Sequence, residues 1–467
     1  MADKKFDLVV VGGGPAGYVA AIRGSQLGMQ VACIEEDNLG GVCLNVGCIP
    51  TKALLSSALL VNDCKLAAAH GITFDNFRSD LGPAQKRSRD IAEKLASGVA
   101  HLFNKNKILH IKGRGRLLGE GSVEVTSLDG GHETYRSDHI LLATGSRPRD
   151  IPVLPIDDTT IWSSTGALFQ QQAPDSLAVV GAGAVGMEFA DIYNAYGTKV
   201  TVIEALDRIL PIEDADSSST LQRSFKKRGV QFHTGAKVKD AIIGEDSVQL
   251  SFEDKNGSTH RLEVEKVLSA VGRVPNTEDL GLKENGVEVS PEGYIVVDHH
   301  LKSSVSGIYA IGDCAGKQLL AHKAMHEGVV CVEAIAGESH GAVDYANVPN
   351  CTYCHPEVAS VGLTEAQARE QGFDIEVGKF PWVGNGRALA GGHTEGFVKV
   401  VRDKEYSEIL GAHIVGPHAT ELIAEFVVGR HLEGTVEEMD RAMHPHPTLS
   451  EAVAEAALGA LGRTIHL

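Results

Sequence analysis

Cys43 and Cys48 stand five residues apart in the run Gly41-Val42-Cys43-Leu44-Asn45-Val46-Gly47-Cys48-Ile49-Pro50. Two such thiols can carry an electron pair as dithiol and disulfide, because a thiolate attacks a disulfide sulfur. A straight helix would separate residues five apart by about 7.5 Å of rise, more than the usual Cα span of a disulfide. The pair can bridge only if the chain bends between them, and Gly47 permits a bend. Pro50, followed by Lys52-Ala53-Leu54-Leu55, predicts a helix start. Cys48 then lies by a helix N-terminus, where a thiol loses its proton more readily. Two buried free thiols would have the same spacing, so context decides. Eight cysteines in 467 residues are too sparse for a disulfide-built scaffold, and a paired couple is then more a reagent than a staple.

The context is a repeated fingerprint. The strand-like run Leu8-Val9-Val10-Val11 leads into Gly12-Gly13-Gly14-Pro15-Ala16-Gly17, a helical pattern to Gly28, and a second strand ending at Glu35. Ala178-Val179-Val180 leads likewise into Gly181-Ala182-Gly183-Ala184-Val185-Gly186, a helix to Tyr196, and a strand ending at Glu204. Matched positions are offset by 169, and each acid lies 18 residues beyond its last glycine. One Gly-x-Gly-x-x-Gly is weak evidence; two, each between strand and helix with the acid in place, are strong. The first glycine (Gly12, Gly181) makes the tight turn. The second (Gly14, Gly183) lets backbone approach a pyrophosphate, and the third (Gly17, Gly186) lets helix pack on strand. The N–H groups at the helix start favour the phosphates, and the terminal carboxylate accepts from a ribose. The chain is therefore expected to hold two dinucleotides. A carboxylate at Glu204 suits a free 2′-hydroxyl and repels a 2′-phosphate, favouring NAD over NADP. Cys43 lies eight residues past Glu35, beside the expected path of the first dinucleotide, which suggests a dithiol/disulfide couple next to a flavin.

These features need a large α/β scaffold. The length suggests about three domains. Glycine, 52 of 467 residues, exceeds the average of about 7% and clusters at turns. The formal charge of −18 argues against nucleic acid and against an anionic membrane surface, and fits a basic protein partner. No apolar stretch of about 20 residues is expected to span a bilayer. Lys4 and Lys5 before Leu8–Ile22 imitate a signal peptide, but Asp3, Asp7 and the central glycines oppose that reading, so a cytoplasmic protein is expected. Residues 55–105 read as helix, 107–145 as short strands, 277–345 as short and mixed, and 346–467 as alternating strands and helices without a glycine fingerprint.

Beyond this, Gly40-Gly41-Val42-Cys43-Leu44-Asn45-Val46-Gly47-Cys48-Ile49-Pro50-Thr51-Lys52 resembles the redox-disulfide signature of the pyridine nucleotide–disulfide oxidoreductases. His444-Pro445-His446-Pro447-Thr448-Leu449-Ser450-Glu451 resembles that family's C-terminal active-site motif. Ala143-Thr144-Gly145-Ser146, Gly272-Arg273 with Pro275-Asn276-Thr277, Ile311-Gly312-Asp313 and Leu320-Ala321-His322-Lys323-Ala324 match further family motifs. The resemblance runs essentially end to end and is strongest to the members that oxidise dihydrolipoyl groups. It implies an α/β fold with two Rossmann-like dinucleotide-binding domains, the NAD domain inserted into the FAD domain, and a C-terminal α+β dimerisation domain. The implied boundaries are 1–149 (FAD), 150–276 (NAD), 277–345 (FAD, central) and 346–467 (dimerisation).

The resemblance also implies roles. Glu35 would hold the FAD adenosine ribose, and Gly115 would approach the adenine end. Lys52 would sit near the flavin, paired with Glu188. Thr144, Gly145, Asp313 and the Ala321 backbone belong to the flavin side. Gly181 to Val185, Gly186, Glu204, Val238 and Ala270 to Arg273, including Gly272, would line the NAD site. Cys43 would exchange with substrate and Cys48 would face the flavin. His446 of the opposite subunit would be the base, oriented by Glu451. A histidine has the right unperturbed pKa to take a thiol proton at neutral pH, and a carboxylate can fix its tautomer. The implied activity is oxidation of a protein-bound dihydrolipoyl group with reduction of NAD, by a homodimer docked on the acyltransferase core of a 2-oxo acid dehydrogenase complex. Departures are Thr51, Pro445 and a loop one residue short between Glu35 and Leu39. A glutathione-type reductase is opposed by Glu204. A relative with an extra C-terminal cysteine pair is opposed by the lack of cysteine after Cys354. A non-catalytic flavoprotein subunit is opposed by Cys43, Cys48, His446 and Glu451 occurring together. Cys351-Thr352-Tyr353-Cys354-His355 matches a haem-attachment pattern, but it reads better as two packed thiols in a strand, and no metal site is expected. Lys226-Lys227-Arg228 reads as a solvated helix face.

Overall fold

The computed structural model describes residues 5–338 and 341–466. The chain forms two compact units, one of Met1–Ala53, Gln85–Arg149 and Gly272–Val343, the other of Leu54–Ala84, Asp150–Val271 and Asp344–Leu467.

The first unit is built on a seven-stranded sheet. Leu109–Lys112, Val31–Glu35, Lys5–Val11 and His132–Leu142 lie side by side in parallel, and Ile308–Ala310 adds in parallel to His132–Leu142. Ser122–Thr126 and Arg114–Gly119 continue the sheet antiparallel. The parallel strands are apolar on both faces, as strands covered on both sides must be: Leu8, Val9, Val10, Ala32 and Cys33 are fully buried. Helix Pro15–Gln26 covers one face and packs on helix Ala321–Ala336. There Gly328 has no room for a Cβ, which would stand 2.8 Å from the Ala16 carbonyl oxygen. The segment read as short and mixed thus contains a sixteen-residue helix. The reading of helix over 55–105 also needs correction, because residues 71–80 lie outside any helix and Gly71 ends the preceding turn at φ +75°.

The second unit repeats the plan. Gln231–Thr234, Lys199–Glu204, Ser176–Val180 and Lys266–Ser269 follow the same parallel order, with Ile161–Trp162 at the far edge. A three-stranded antiparallel sheet, 237–264, packs beside it. The C-terminal part is an antiparallel five-stranded sheet in the order Asn350–Thr352, Glu357–Gly362, Ile409–Gly416, Phe397–Asp403, Ile375–Pro381. Helix Glu451–Ala460 lies directly on its last strand. Ala452, Ala456, Ala457 and Ala460 are fully buried, and a Cβ on Gly378 would meet the Ala456 carbonyl oxygen at 1.9 Å.

Two surface readings change. Arg228 is only partly solvated: its guanidinium pairs with the fully buried Asp191 and donates to the His355 carbonyl at 2.6 Å. Asp191 also accepts from the His355 backbone and ring, each at 2.8 Å. Cys351 lies in a strand, whereas Cys354 lies beyond it and is buried. One helical stretch, Gly41–His70, is long and apolar enough to cross a membrane by length and composition, with 44% of its most apolar window buried within the chain. This corrects the expectation of no such stretch; Lys52 interrupts the uncharged run and conceals it.

A polar row crosses the C-terminal sheet, where Ser360, His413 and Lys399 are successive cross-strand partners. The buried Lys399 ammonium meets Asp214 at 3.0 Å, Asp216 at 3.2 Å and Glu365 at 2.9 Å. Among the described residues Glu213 next to them pairs with no cation, and its Oε2 lacks a hydrogen-bond partner. Burial pushes its carboxyl up from 4.5 to about 7, against the pull of Ser360. The folded chain therefore keeps this proton after the unfolded chain has lost it. Stability declines as pH rises from 4.5 towards 7, and the full penalty persists above 7. Glu213→Gln is expected to raise the thermal midpoint at pH 8, by on the order of 2 kcal/mol of stability, with a much smaller gain at pH 5. Paired melts at the two pH values check this.

Candidate active site

In the first unit the chain breaks between the two cysteines. Helix Gly41–Val46 ends, Gly47 takes φ −146° and ψ −113°, and Cys48 opens helix Cys48–Leu66. Cys43 and Cys48 are half-buried, and no disulfide joins them. The Cys43 thiol is pushed far up, first by its hydrogen bond to Cys48, then by burial and by charge on Cys48; the Lys52 ammonium pulls the other way. The two sulfurs are thus close enough to share a proton. Asn45 Nδ2 donates to the Gly41 carbonyl at 2.9 Å and the Leu39 carbonyl at 3.1 Å, and Thr51 Oγ1 donates to the Gly47 carbonyl at 2.6 Å. Asn45 thus ties its short helix to the loop before it, and the Thr51 hydroxyl adds to the Thr51 N–H, which reaches the same Gly47 carbonyl at 3.1 Å.

The two fingerprints have the same anatomy. Gly12, at φ +110°, lies against the Ala143 carbonyl oxygen, 2.2 Å from where a Cβ would stand. Gly181, at φ +101°, lies against the Ala270 carbonyl at 2.3 Å. A Cβ on Gly17 would fall 1.8 Å from the Gly12 carbonyl oxygen, and one on Gly186 would fall 1.9 Å from that of Gly181. The protein itself therefore requires the first and third glycines. The second is different. Gly14 and Gly183 have ordinary φ values of −70° and −72° at the N-caps of twelve-residue helices, with no side-chain cap. A Cβ on Gly14 would meet nothing nearer than Gly41 Cα at 3.8 Å, and one on Gly183 would meet nothing within 4 Å. Each helix start thus faces open space with bare N–H groups, the room a pyrophosphate needs.

The acids also match. Glu35 Oε2 accepts from the Gly13 N–H at 2.6 Å and Oε1 from Asp37 at 2.8 Å. Glu204 Oε2 accepts from Ala182 at 2.6 Å and Oε1 from Leu206 at 2.8 Å. Burial raises the Glu35 carboxyl. Each carboxylate shapes its own glycine loop and keeps lone pairs for a ribose, since two oxygens offer about four acceptor sites. Gly115 packs against Val11 at the end of the first strand. Val238 packs on the cluster of Val180 and Ile203. Val185 is exposed on helix Ala184–Ala195, and Glu188 on the same helix is buried and accepts from the Tyr353 N–H at 3.0 Å.

Opposite the first fingerprint, Thr144 and Asn276 exchange hydrogen bonds at 2.6 and 3.0 Å, and Gly145 turns the chain at φ +71°. Asp313 accepts from the Ser146 hydroxyl. Arg273 donates to that hydroxyl at 2.7 Å and to the Ser146 carbonyl at 2.6 Å. The segment 270–273 is therefore divided: Ala270 belongs to the second unit, whereas Gly272 and Arg273 belong to the first. Ala321 opens its helix. Two residues were not foreseen. Lys323 and Glu327, each 1% exposed, pair at 3.0 Å. Lys323 donates to the Gly312 and Gly316 carbonyls at 3.3 and 3.0 Å, and Glu327 accepts from the Gly312 N–H at 2.7 Å. Together they brace the Asp313 loop. Their signal was a lysine and a glutamate four apart, the spacing at which a helix pairs opposite charges. A second overlooked signal is Ala270-Val271-Gly272, which repeats Ala143-Thr144-Gly145.

In the second unit His446 Nδ1 meets Glu451 Oε1 at 2.8 Å, and Glu451 Oε2 accepts from the Thr448 N–H at 2.8 Å. Burial raises the Glu451 carboxyl, but the Thr448 N–H, the His446 ring and, more weakly, His466 outweigh it and hold it below the usual range. The His446 side chain is 80% exposed. An ionised carboxylate only accepts, so Nδ1 carries the hydrogen and the neutral ring offers Nε2 as a base.

Residues 6–328 match the family model described as pyridine nucleotide-disulphide oxidoreductase, and 348–457 match its dimerisation domain. The chain belongs to the pyridine nucleotide-disulphide oxidoreductases. It is 44% identical to a dihydrolipoyl dehydrogenase of Rhizobium etli, covering 99% of both chains, and 43% identical to that of Zymomonas mobilis, covering 100% of both. The crystal structure of LpdA from Mycobacterium tuberculosis superposes with a TM-score of 0.91 at 29% identity, covering 97% of this chain and 99% of that one.

Substitution separates the glycines. Gly14→Ala is expected to cost the fold no more than about 1 kcal/mol, as alanine is a poorer N-cap than glycine, yet to lose FAD retention, because only a ligand needs that space. Gly12→Ala and Gly17→Ala should instead cost the folded state. Flavin absorbance per chain and the melting of the flavin-free protein distinguish the two outcomes.

Proposed function

We propose that the chain works as a dihydrolipoyl dehydrogenase, oxidising a dihydrolipoyl group carried on a partner protein and reducing NAD+. The observation that carries this reading is the Cys43–Cys48 pair, two thiols in hydrogen-bond contact across a helix break. In the oxidised couple a substrate thiolate attacks Cys43 Sγ. The Cys43–Cys48 bond breaks as the substrate–Cys43 bond forms, and Cys48 leaves as thiolate. The second substrate thiolate then displaces Cys43 and closes the lipoyl ring, leaving the electron pair on the two cysteines. A bound FAD would supply the electron transfer from this couple to NAD+, chemistry that belongs to the cofactor.

The remaining residues bind, orient and move protons. His446 takes the substrate thiol proton at Nε2, and Glu451 holds the ring and balances the charge that forms. Gly12, Gly14, Gly17, Glu35, Gly115, Thr144, Gly145, Asp313 and the Ala321 N–H would hold FAD, with Lys52 near its ring and paired with Glu188. Gly181, Gly183, Val185, Gly186, Glu204, Val238, Ala270, Gly272 and Arg273 would hold NAD. In this reading 1–149 and 277–345 form the FAD domain, 150–276 the NAD domain and 346–467 the dimer interface, through which His446 serves the opposite subunit. The homodimer docks on the acyltransferase core of a 2-oxo acid dehydrogenase complex in the cytoplasm. Eight cysteines in 467 residues, too sparse for a disulfide-built scaffold, support that placement.

Cys48→Ser is expected to abolish oxidation of dihydrolipoamide while FAD stays bound; turnover by this variant would overturn the disulfide mechanism. Glu204→Ala should narrow the preference for NAD over NADP, because it removes the carboxylate that repels a 2′-phosphate. The ratio of kcat/KM for the two nucleotides measures this.

A further inference from the structure

Helix Glu451–Ala460 carries two carboxylates four residues apart, hence on one face, and each holds a histidine in the same way. Glu451 Oε1 meets His446 Nδ1 at 2.8 Å, and Glu455 Oε1 meets His466 Nδ1 at 2.5 Å. The second oxygen of each takes backbone N–H groups, that of Thr448 for Glu451 and those of Ile465 and His466 for Glu455. Among the described residues neither histidine has a partner at Nε2. All four side chains line one cavity of about 320 Å³, roomy enough for several waters, which would take the two imidazoles and the two carboxylates as their polar partners. The other titratable group on its wall is His444, which is committed elsewhere: Nε2 meets Glu425 at 2.5 Å and Nδ1 meets the Ala442 carbonyl at 2.9 Å.

We propose that the His466–Glu455 pair is a second proton-holding dyad that takes the proton from His446 and delivers it to solvent. The inference rests on the reading of His446 as the base. Oxidising a dithiol to a disulfide while reducing NAD+ to NADH releases one proton per turnover. That proton first sits on His446 Nε2, the atom that faces the substrate thiol, and it must leave before the next cycle. Water in the cavity carries it from His446 Nε2–H to the lone pair on His466 Nε2. The ring then holds two hydrogens, balanced by Glu455, and gives one to bulk water. No electrons move in this step. An imidazole is a near-even acceptor for a proton leaving another imidazole, and the charge of His466 is already felt at Glu451. His466 acts through His446, so it is a positioning and relay residue and not a catalytic one.

The test uses the FAD-loaded enzyme and His466→Gln, which keeps a hydrogen bond to Glu455 but cannot carry a proton. In dilute buffer kcat for dihydrolipoamide oxidation is expected to fall roughly tenfold, and added imidazole should restore it. The wild-type rate should not depend on buffer concentration. NADH oxidation by ferricyanide, which bypasses the substrate thiol, should be the same in both. Wild-type turnover by the variant in dilute buffer would overturn the relay. So would a loss that imidazole does not relieve, which would mark a structural role. A wild-type enzyme that fails to oxidise dihydrolipoamide would sink the parent reading and this inference together, and it is recognised before any variant is compared.

Discussion

Two backbone carbonyls, those of Ala143 and Ala270, occupy the space where a side chain on Gly12 or Gly181 would stand. Everything around the nucleotide sites follows from that contact. It brings the returning strand's end against the glycine turn, and it fixes the start of the next helix. In each repeat it leaves one glycine whose missing side chain the protein itself does not need. A turn forced by protein atoms and a gap left by them are physically different uses of one residue type. The repeated Gly-x-Gly-x-x-Gly contains both.

The acids show a second economy. Glu451 and Glu455 each give one oxygen to backbone N–H groups and the other to a histidine, whereas Glu35 and Glu204 give each oxygen to a backbone N–H and keep further lone pairs for a ligand. A carboxylate used this way fixes a loop and serves a site at once. Lys323 and Glu327 do a related task with charges at both ends, satisfying three backbone groups of the Asp313 loop. Such a pair is costly to bury and costly to break, because removing one partner strands the other without water.

Much of this was legible in the residues. The two fingerprints and their acids predicted parallel strands and helices where they stand, because glycine spacing and apolar runs report local backbone geometry directly. A bend at Gly47 was expected only if the two cysteines bridge, and the helix does break there. What escaped notice was long-range. Helix Ala321–Ala336 was hidden because its histidines, lysine and glutamates blur the apolar period, and only the fold shows that Lys323 and Glu327 point inward. Arg228 reads as surface in its own segment, but it faces Asp191, 37 residues away. The dyad at His466 could not be seen, since nothing in a chain terminus says which carboxylate it will meet.

The burial of the Lys323–Glu327 pair separates two responses to ionic strength. A chain with a formal charge of −18 carries a surface field that dissolved salt screens within about a nanometre. The attraction between Lys323 and Glu327, at 1% exposure each, lies where mobile ions do not reach. Raising the salt concentration therefore loosens encounters at the molecular surface and leaves the grip on the Asp313 loop intact.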